Sequence, residues 1–289
     1  MAIFGISRST LKVATSSLLP ASLRVRRSQR LWNQLNRKST YGYISHLRSG
    51  EWDPEEFATV GSRFVDQMMT RYHDYGIVPS AEATVLEIGC GVGRFLVPLS
   101  EHFRQVIGVD FSDAMLASAR DYCTEHTNIT FRQSDGSTLT GVPDGSVDFV
   151  VSAGVFQHIT ALPAILSYVR DSLRVLKPGG LLLFQFEGNR TSEVGFDQVG
   201  ARITASALDK ALTHDAFRIR EISSDPRDPV RNVVCVLERT VDASGDRFET
   251  YQMSNRAWLL GAYDGVTTDT DMQKRLTATP LPLTFFDKT

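Results

Sequence analysis

The stretch Val85-Leu86-Glu87-Ile88-Gly89-Cys90-Gly91-Val92-Gly93-Arg94-Phe95 constrains this chain more than any other, because an apolar run passes straight into three alternating glycines. A strand ending in such a loop, with a helix opening behind it over about 92–103, is the local architecture of a nucleotide-like cofactor site. Glycines lack a Cβ, so the backbone turns tightly and lies against a ligand that a side chain would push away. Helix N-terminal N–H groups add a preference for an anionic group there.

A lone glycine-rich loop is weak evidence until the next strand is found at the right distance. Val106-Ile107-Gly108-Val109-Asp110 is a second short apolar run ending in a carboxylate, 21 residues beyond Gly89. An acid at about that spacing accepts hydrogen bonds from the ribose hydroxyls of an adenosine. The plainer alternative is that Asp110 caps the helix beginning near Ser112-Asp113. Dinucleotide sites use Gly-x-Gly-x-x-Gly, whereas here the sixth position is Arg94 and the third glycine comes one residue early.

The pattern Glu87-x-Gly89-x-Gly91-x-Gly93 resembles motif I of the class I S-adenosylmethionine-dependent methyltransferases. Three further pieces follow in the family's order: Ser134-Asp135-Gly136 after a third strand, a Pro143-Asp144-Gly145 turn into a fourth, and Leu176-Lys177-Pro178-Gly179-Gly180 before a fifth. The resemblance covers roughly residues 82–190 and implies S-adenosyl-L-methionine as cofactor. It assigns Glu87 to the methionyl amino end, Asp110 to the ribose and Asp135 to the adenine amino group, with Gly136 leaving a backbone amide accessible. Cys90, Phe111, Met115 and Ala153 join the cofactor wall on the same ground.

The order of elements is a helix, strand 84–88, helix 92–103, strand 105–109, helix 113–124, strands 129–132 and 147–152, helix 162–175, strand 180–187, a helix near 203–214, and strands 217–223 and 232–238. Alternation of this kind implies an α/β fold, a doubly wound, mostly parallel Rossmann-like sheet with right-handed crossovers. The last two strands are too close in sequence for another crossover helix, so the seven-stranded sheet should close with an antiparallel strand.

A chain of 289 residues, 42% apolar and 22% charged, can bury a sizeable core. Its three cysteines have neither disulfide-framework nor zinc-site spacing, so a reducing, cytoplasmic setting is the default. Residues 1–50 hold nine Lys or Arg and no acid, which leaves 22 bases against 33 acids in the remainder. The expected organisation is a basic, flexible leader over 1–30, a helical cap over 31–80, the cofactor domain over 81–240 and a C-terminal extension over 241–289. The leader reads as a solvated arm, an organellar transit peptide or a weak membrane-surface segment. No apolar run approaches the ~20 residues that span a bilayer. In the cap, Phe57, Phe64, Val65, Met68, Met69 and Tyr72 recur at helical spacing, and the resemblance implies a lid role for Tyr41, Tyr43, Trp52 and Phe57, beside the plainer reading as core packing.

Chemistry belongs at the carboxyl ends of the parallel strands. Ser152-Ala153-Gly154-Val155-Phe156-Gln157-His158 follows the fourth strand, and His158 is the first candidate general base, with a loop-shaping role as its alternative. His46 and His73 rank second, and no metal site is readable. The text around His158 resembles methyltransferases of polysaccharide, glycolipid and secondary-metabolite pathways, which implies a small-molecule acceptor, chiefly an oxygen of a sugar, glycolipid or secondary metabolite. Nucleic acid is a poorer partner, because Ser152-Ala153-Gly154-Val155 lacks the proline and aromatic of a base-flipping pocket. A protein methyltransferase and a non-catalytic S-adenosyl ligand-binding module remain as alternatives.

Overall fold

The computed structural model describes residues 20–38, 53–186, 203, 205–224, 233–242 and 252–254. Its centre is one sheet of eight strands in the order β3-β2-β1-β4-β5-β7-β6-β8. These are β1 (Thr84–Ile88), β2 (Gln105–Asp110), β3 (Ile129–Gln133), β4 (Val147–Ser152), β5 (Leu176–Phe186), β6 (Phe217–Ser224), β7 (Val233–Arg239) and β8 (Gln252–Ser254). β1 to β5 run parallel, and β7 lies antiparallel between β5 and β6. The doubly wound sheet with its reversed strand is as the sequence implies. It has one more strand than expected, because β8 from the C-terminal extension adds in parallel to β6.

The helices are α1 (Ala21–Lys38), α2 (Pro54–Asp74), α3 (Leu96–His102), α4 (Asp113–Tyr122), α5 (Leu162–Val175) and α6 (Ala205–Ala211). α2 begins where Asp53 Oδ1 accepts the N–H groups of Glu55 at 2.9 Å and Glu56 at 3.1 Å, with Pro54 in the first turn. Phe57, Val60, Phe64, Val65, Met68 and Tyr72 then bury one stripe of that helix. Tyr72 stacks on Phe149 of β4 at 4.7 Å between ring centres, so α2 is bound to the middle of the sheet.

Three expected boundaries shift. α3 begins at Leu96 rather than 92, because residues 91–95 are still turning, with Gly93 N bonded back to Cys90 O and Leu96 N to Gly93 O. The Leu176-Lys177-Pro178-Gly179-Gly180 turn is counted within β5, where pairing with β4 jumps from Val147–Leu176 to Phe149–Leu181. Most consequentially, α1 runs through residue 30, across the expected limit of the flexible leader. Tyr41, Tyr43, His46 and Trp52 lie outside the described residues.

β1 is buried along its whole length, and two apolar clusters cover the faces of the sheet. The order in which strands are added reverses at β1, since β2 and β3 are added on one side of it and β4 and β5 on the other. That switch opens a crevice at the carboxyl ends of β1 and β4.

One consequence for stability has a definite sign. The Tyr72 hydroxyl is buried without a hydrogen-bond partner, so Tyr72→Phe keeps the stacked ring and removes an unpaid desolvation cost. Urea unfolding should show the variant more stable by about 1 kcal/mol.

Candidate functional site

A cavity with about 990 Å³ of empty space, its mouth included, fills the crevice. The ends of β1 and β2 supply its floor through Glu87, Gly89, Cys90, Gly91, Asp110 and Phe111; Met115, Gly136, Ala153 and His158 stand around them. Ten of the twelve sequence-derived site residues therefore share one wall-lined space. The two exceptions, Gly93 and Asp135, are not on the wall.

The loop keeps its shape through its own amides. Gly89 and Cys90 both donate to Val109 O, at 2.7 and 3.0 Å, and Gly91 N donates to Asp110 Oδ2 at 3.0 Å. With Gly93 N on Cys90 O, four loop N–H groups are spent inside the protein. A pyrophosphate cradle needs such groups free, and the seven-residue α3 begins too late to offer its own end to an anion. Gly89 has φ +71°, and a Cβ there would meet Val155 Cγ2 at 2.4 Å, so the loop packs directly against the segment after β4. At Gly91, φ +54°, a Cβ would meet nothing within 4 Å, because that position faces open space.

Asp110 does not itself cap the helix after β2, since Ser112 is the N-cap, but its carboxylate holds both neighbouring loops. Oδ1 accepts Ser112 N at 2.8 Å while Oδ2 holds Gly91, and Ser112 Oγ then caps α4 by accepting Met115 N at 3.1 Å. Each carboxylate oxygen retains a lone pair for a ligand hydroxyl. Burial raises its pKa to about 6 against the opposing pull of the Ser112, Gly91 and Phe111 amides. Glu87 is more extreme. Burial pushes it up to about 8, only partly offset by the nearby Arg94, and its Oε2 has no hydrogen-bond partner.

An orphaned buried carboxylate oxygen on the wall, beside an open cradle at Gly91, fits the ammonium end of S-adenosylmethionine, and Asp110 fits its ribose. Asp135 fits less directly. It is exposed, and its Oδ1 accepts Ser137 N at 2.8 Å and Thr138 N at 2.7 Å, forming a local turn. Partial burial would raise its pKa, but these donors hold it below the usual value. Gly136, next to it, reaches the cavity.

Beyond β4, Gln185 of β5 accepts Gly154 N at 2.9 Å and fixes the loop that carries His158. His158 ends a single 3₁₀ turn and meets the edge of Trp32 at 5.3 Å with the rings at 72°. Trp32 belongs to α1, whose residues 31–38 fall in the expected helical cap and whose residues 21–30 fall in the expected leader. Val25, Ser28 and Trp32 of α1 face the cavity, and Gln29 Nε2 donates to Phe111 O at 2.6 Å. Asn33 accepts the Ser112 hydroxyl at 2.5 Å, and Arg24 Nη1 donates to Thr160 O at 2.8 Å. Phe57, a candidate lid aromatic, instead lies fully buried against Tyr122, as the packing alternative had it. His73 is exposed on α2, away from the wall.

Fold and cavity together define a domain that binds an adenosine-bearing cofactor without a pyrophosphate. Residues 86–184 match the model of a methyltransferase domain. Demethylmenaquinone methyltransferase of Tropheryma whipplei is 30% identical over 137 residues, 47% of this chain and 55% of that protein. Ubiquinone biosynthesis O-methyltransferase of Acinetobacter baumannii is 28% identical over 156 residues, 53% of this chain and 64% of that protein. The chain thus spans little more than half the length of these curated relatives. Phosphoethanolamine N-methyltransferase 1 of Haemonchus contortus, solved with phosphoethanolamine and S-adenosylhomocysteine, shares the fold at a TM-score of 0.61 and 16% identity, over 86% of this chain and 54% of that one. Over residues 86–184 the cofactor domain is similar to methyltransferase domains.

The raised carboxyls set a pH dependence. Each binds its proton more tightly folded than unfolded, so raising the pH from about 4 to about 8 strips protons from the folded state and lowers the stability of the ligand-free chain. A ligand ammonium selects ionised Glu87. Calorimetric affinity for S-adenosylhomocysteine should therefore rise with pH up to about 8, by at most roughly tenfold per unit for this one proton, and Glu87→Gln should flatten the profile.

Proposed function

We propose that the protein transfers a methyl group from S-adenosylmethionine to an oxygen of a small-molecule acceptor such as a sugar, glycolipid or secondary metabolite. The observation that carries this reading is the placement of the orphaned Glu87 oxygen, the Asp110 carboxylate and His158 around one cavity.

Bound in that cavity, S-adenosylmethionine supplies an already reactive sulfonium methyl group. Glu87 holds the ammonium end, and Asp110 accepts from the ribose while keeping the loop in place through Gly91 N. The post-β4 segment, pinned by Gln185, sets the acceptor beside the methyl carbon. In-line attack needs the acceptor oxygen about 3–3.5 Å from that carbon, opposite the sulfur. The sulfonium would supply the methyl carbon to the acceptor oxygen and keep the electron pair of the broken S–C bond, and an imidazole nitrogen of His158 would take the hydroxyl proton. The edge-on contact with Trp32 limits the ways the imidazole can turn. α1 covers the cavity, which keeps water from competing for the same carbon.

Incubation of the purified protein with methyl-labelled cofactor and a panel of sugars, phenols, lipids, amines and proteins should label a hydroxyl compound. With that acceptor, His158→Ala should lower kcat by roughly 10²–10⁴-fold while S-adenosylhomocysteine still binds. Asp110→Ala should abolish cofactor binding. Label appearing only on amines or protein would overturn the acceptor class, and cofactor binding without any product would identify a non-catalytic module.

A further inference from the structure

The outer face of α1 carries a charge pattern that cofactor binding does not use. Its exposed positions include Leu23, Arg26, Arg27, Arg30 and Gln34, three and four residues apart, so they form one stripe. α1 contains no acidic residue, and Arg26 and Arg30 have no hydrogen-bond or ion-pair partner among the described residues. Like charges one turn apart destabilise a helix. A cluster of this kind becomes favourable when an anion lies across it.

The stripe borders a surface groove that begins where the cavity ends. Arg24, Ser28 and Thr160 line both spaces, while Leu23, Arg26 and Arg30 line the groove alone. Arg24 stands at the threshold, with Nη1 on Thr160 O and a buried Nε that has no acceptor. Inside the threshold the walls turn apolar, with Val25, Trp32, Val155, Ile159 and Ala161 facing the space. The two compartments therefore differ in chemistry, cationic outside and apolar within.

We propose that the groove is an anion subsite for the acceptor, so that the acceptor class is an amphiphile bearing a phosphate or carboxylate. Its charged group lies against Arg26 and Arg30, Arg24 contacts the link between head and body, and the apolar body enters toward His158. This rests on the methyltransferase reading of the cavity, and it adds which acceptors that cavity admits. A phosphate on a soluble amphiphile and a phosphate at a lipid surface share this chemistry, and the test distinguishes them.

Calorimetry on the full chain in low salt should compare monomeric octyl phosphate with neutral octyl glucoside, and with vesicles of phosphatidylglycerol. S-adenosylhomocysteine is titrated separately, so loss of the cofactor site and loss of the anion preference are read on different isotherms. Octyl phosphate should bind at least tenfold more tightly than octyl glucoside, the preference should shrink as salt rises, and R26Q/R30Q should reduce it to within about twofold while cofactor affinity holds. Equal binding of the two detergents would overturn the proposal. So would a preference that survives R26Q/R30Q, or binding to phosphatidylglycerol vesicles without binding to octyl phosphate, which would make the stripe a membrane-docking face instead.

Discussion

The carboxylate of Asp110 is the joint on which the rest of the site depends. One oxygen holds the Gly91 amide and the other the Ser112 amide, so a single side chain at the end of β2 fixes the glycine loop after β1 and the start of α4. Ser112 then faces both ways, capping α4 through Met115 N and donating to Asn33 of α1. Loop, helix and lid are thus connected through four adjacent polar contacts. Because the loop amides are satisfied internally, the crevice does not present the bare N–H groups that a phosphate seeks. What it presents instead is the carboxyl groups of Glu87 and Asp110, with the guanidinium groups of Arg24 and Arg94 on the same wall.

The lid follows from the same joint. α1 has little to hold it by apolar burial alone, since none of its described residues is fully buried. Side-chain hydrogen bonds to the loops after β2 and after β4 position it instead. Contacts of this type each contribute about 1 kcal/mol, and the packing of Trp32 against the core adds to them. The pair Trp32 and His158 therefore joins α1 to the loop after β4.

Much of this was legible in the sequence because its carriers are local. Strand, glycines, strand and acid occupy one βαβ unit, so spacing pointed to Gly91 and Asp110 and the family resemblance to Glu87, and all three line one space. His158 was found by its position after β4. The residues that were missed depend on long-range docking. Val25 and Trp32 lie on a segment whose arginines dominate its composition, and only the run from Pro20 to Lys38 without glycine or further proline, with Val25, Ser28 and Trp32 in helical register, could have announced a helix with an inward face. Asp135 shows the opposite case. Its motif is intact, yet whether its carboxylate turns to the ligand or to the Ser137 and Thr138 amides is decided by the turn, which residue identity does not encode. β8 was invisible for a related reason, since a three-residue edge strand has no periodicity to read.

Glu87 shows why a site of this kind stays destabilised until it is filled. A buried carboxyl with one unpartnered oxygen costs the folded chain free energy, and its raised pKa is the titratable form of that cost. Replacing it with an apolar side chain would relieve the empty protein and remove the charge that a cofactor ammonium requires. Arg94, stacked over Phe57 at 5.6 Å and Phe95 at 4.7 Å, moderates the carboxyl by proximity while remaining held in the α2 interface. Had Arg94 paired fully with Glu87, the carboxylate would be satisfied without ligand and the cofactor would have to compete with a guanidinium for it. Partial compensation by Arg94 leaves the Glu87 carboxyl raised to about 8 and its Oε2 unpartnered.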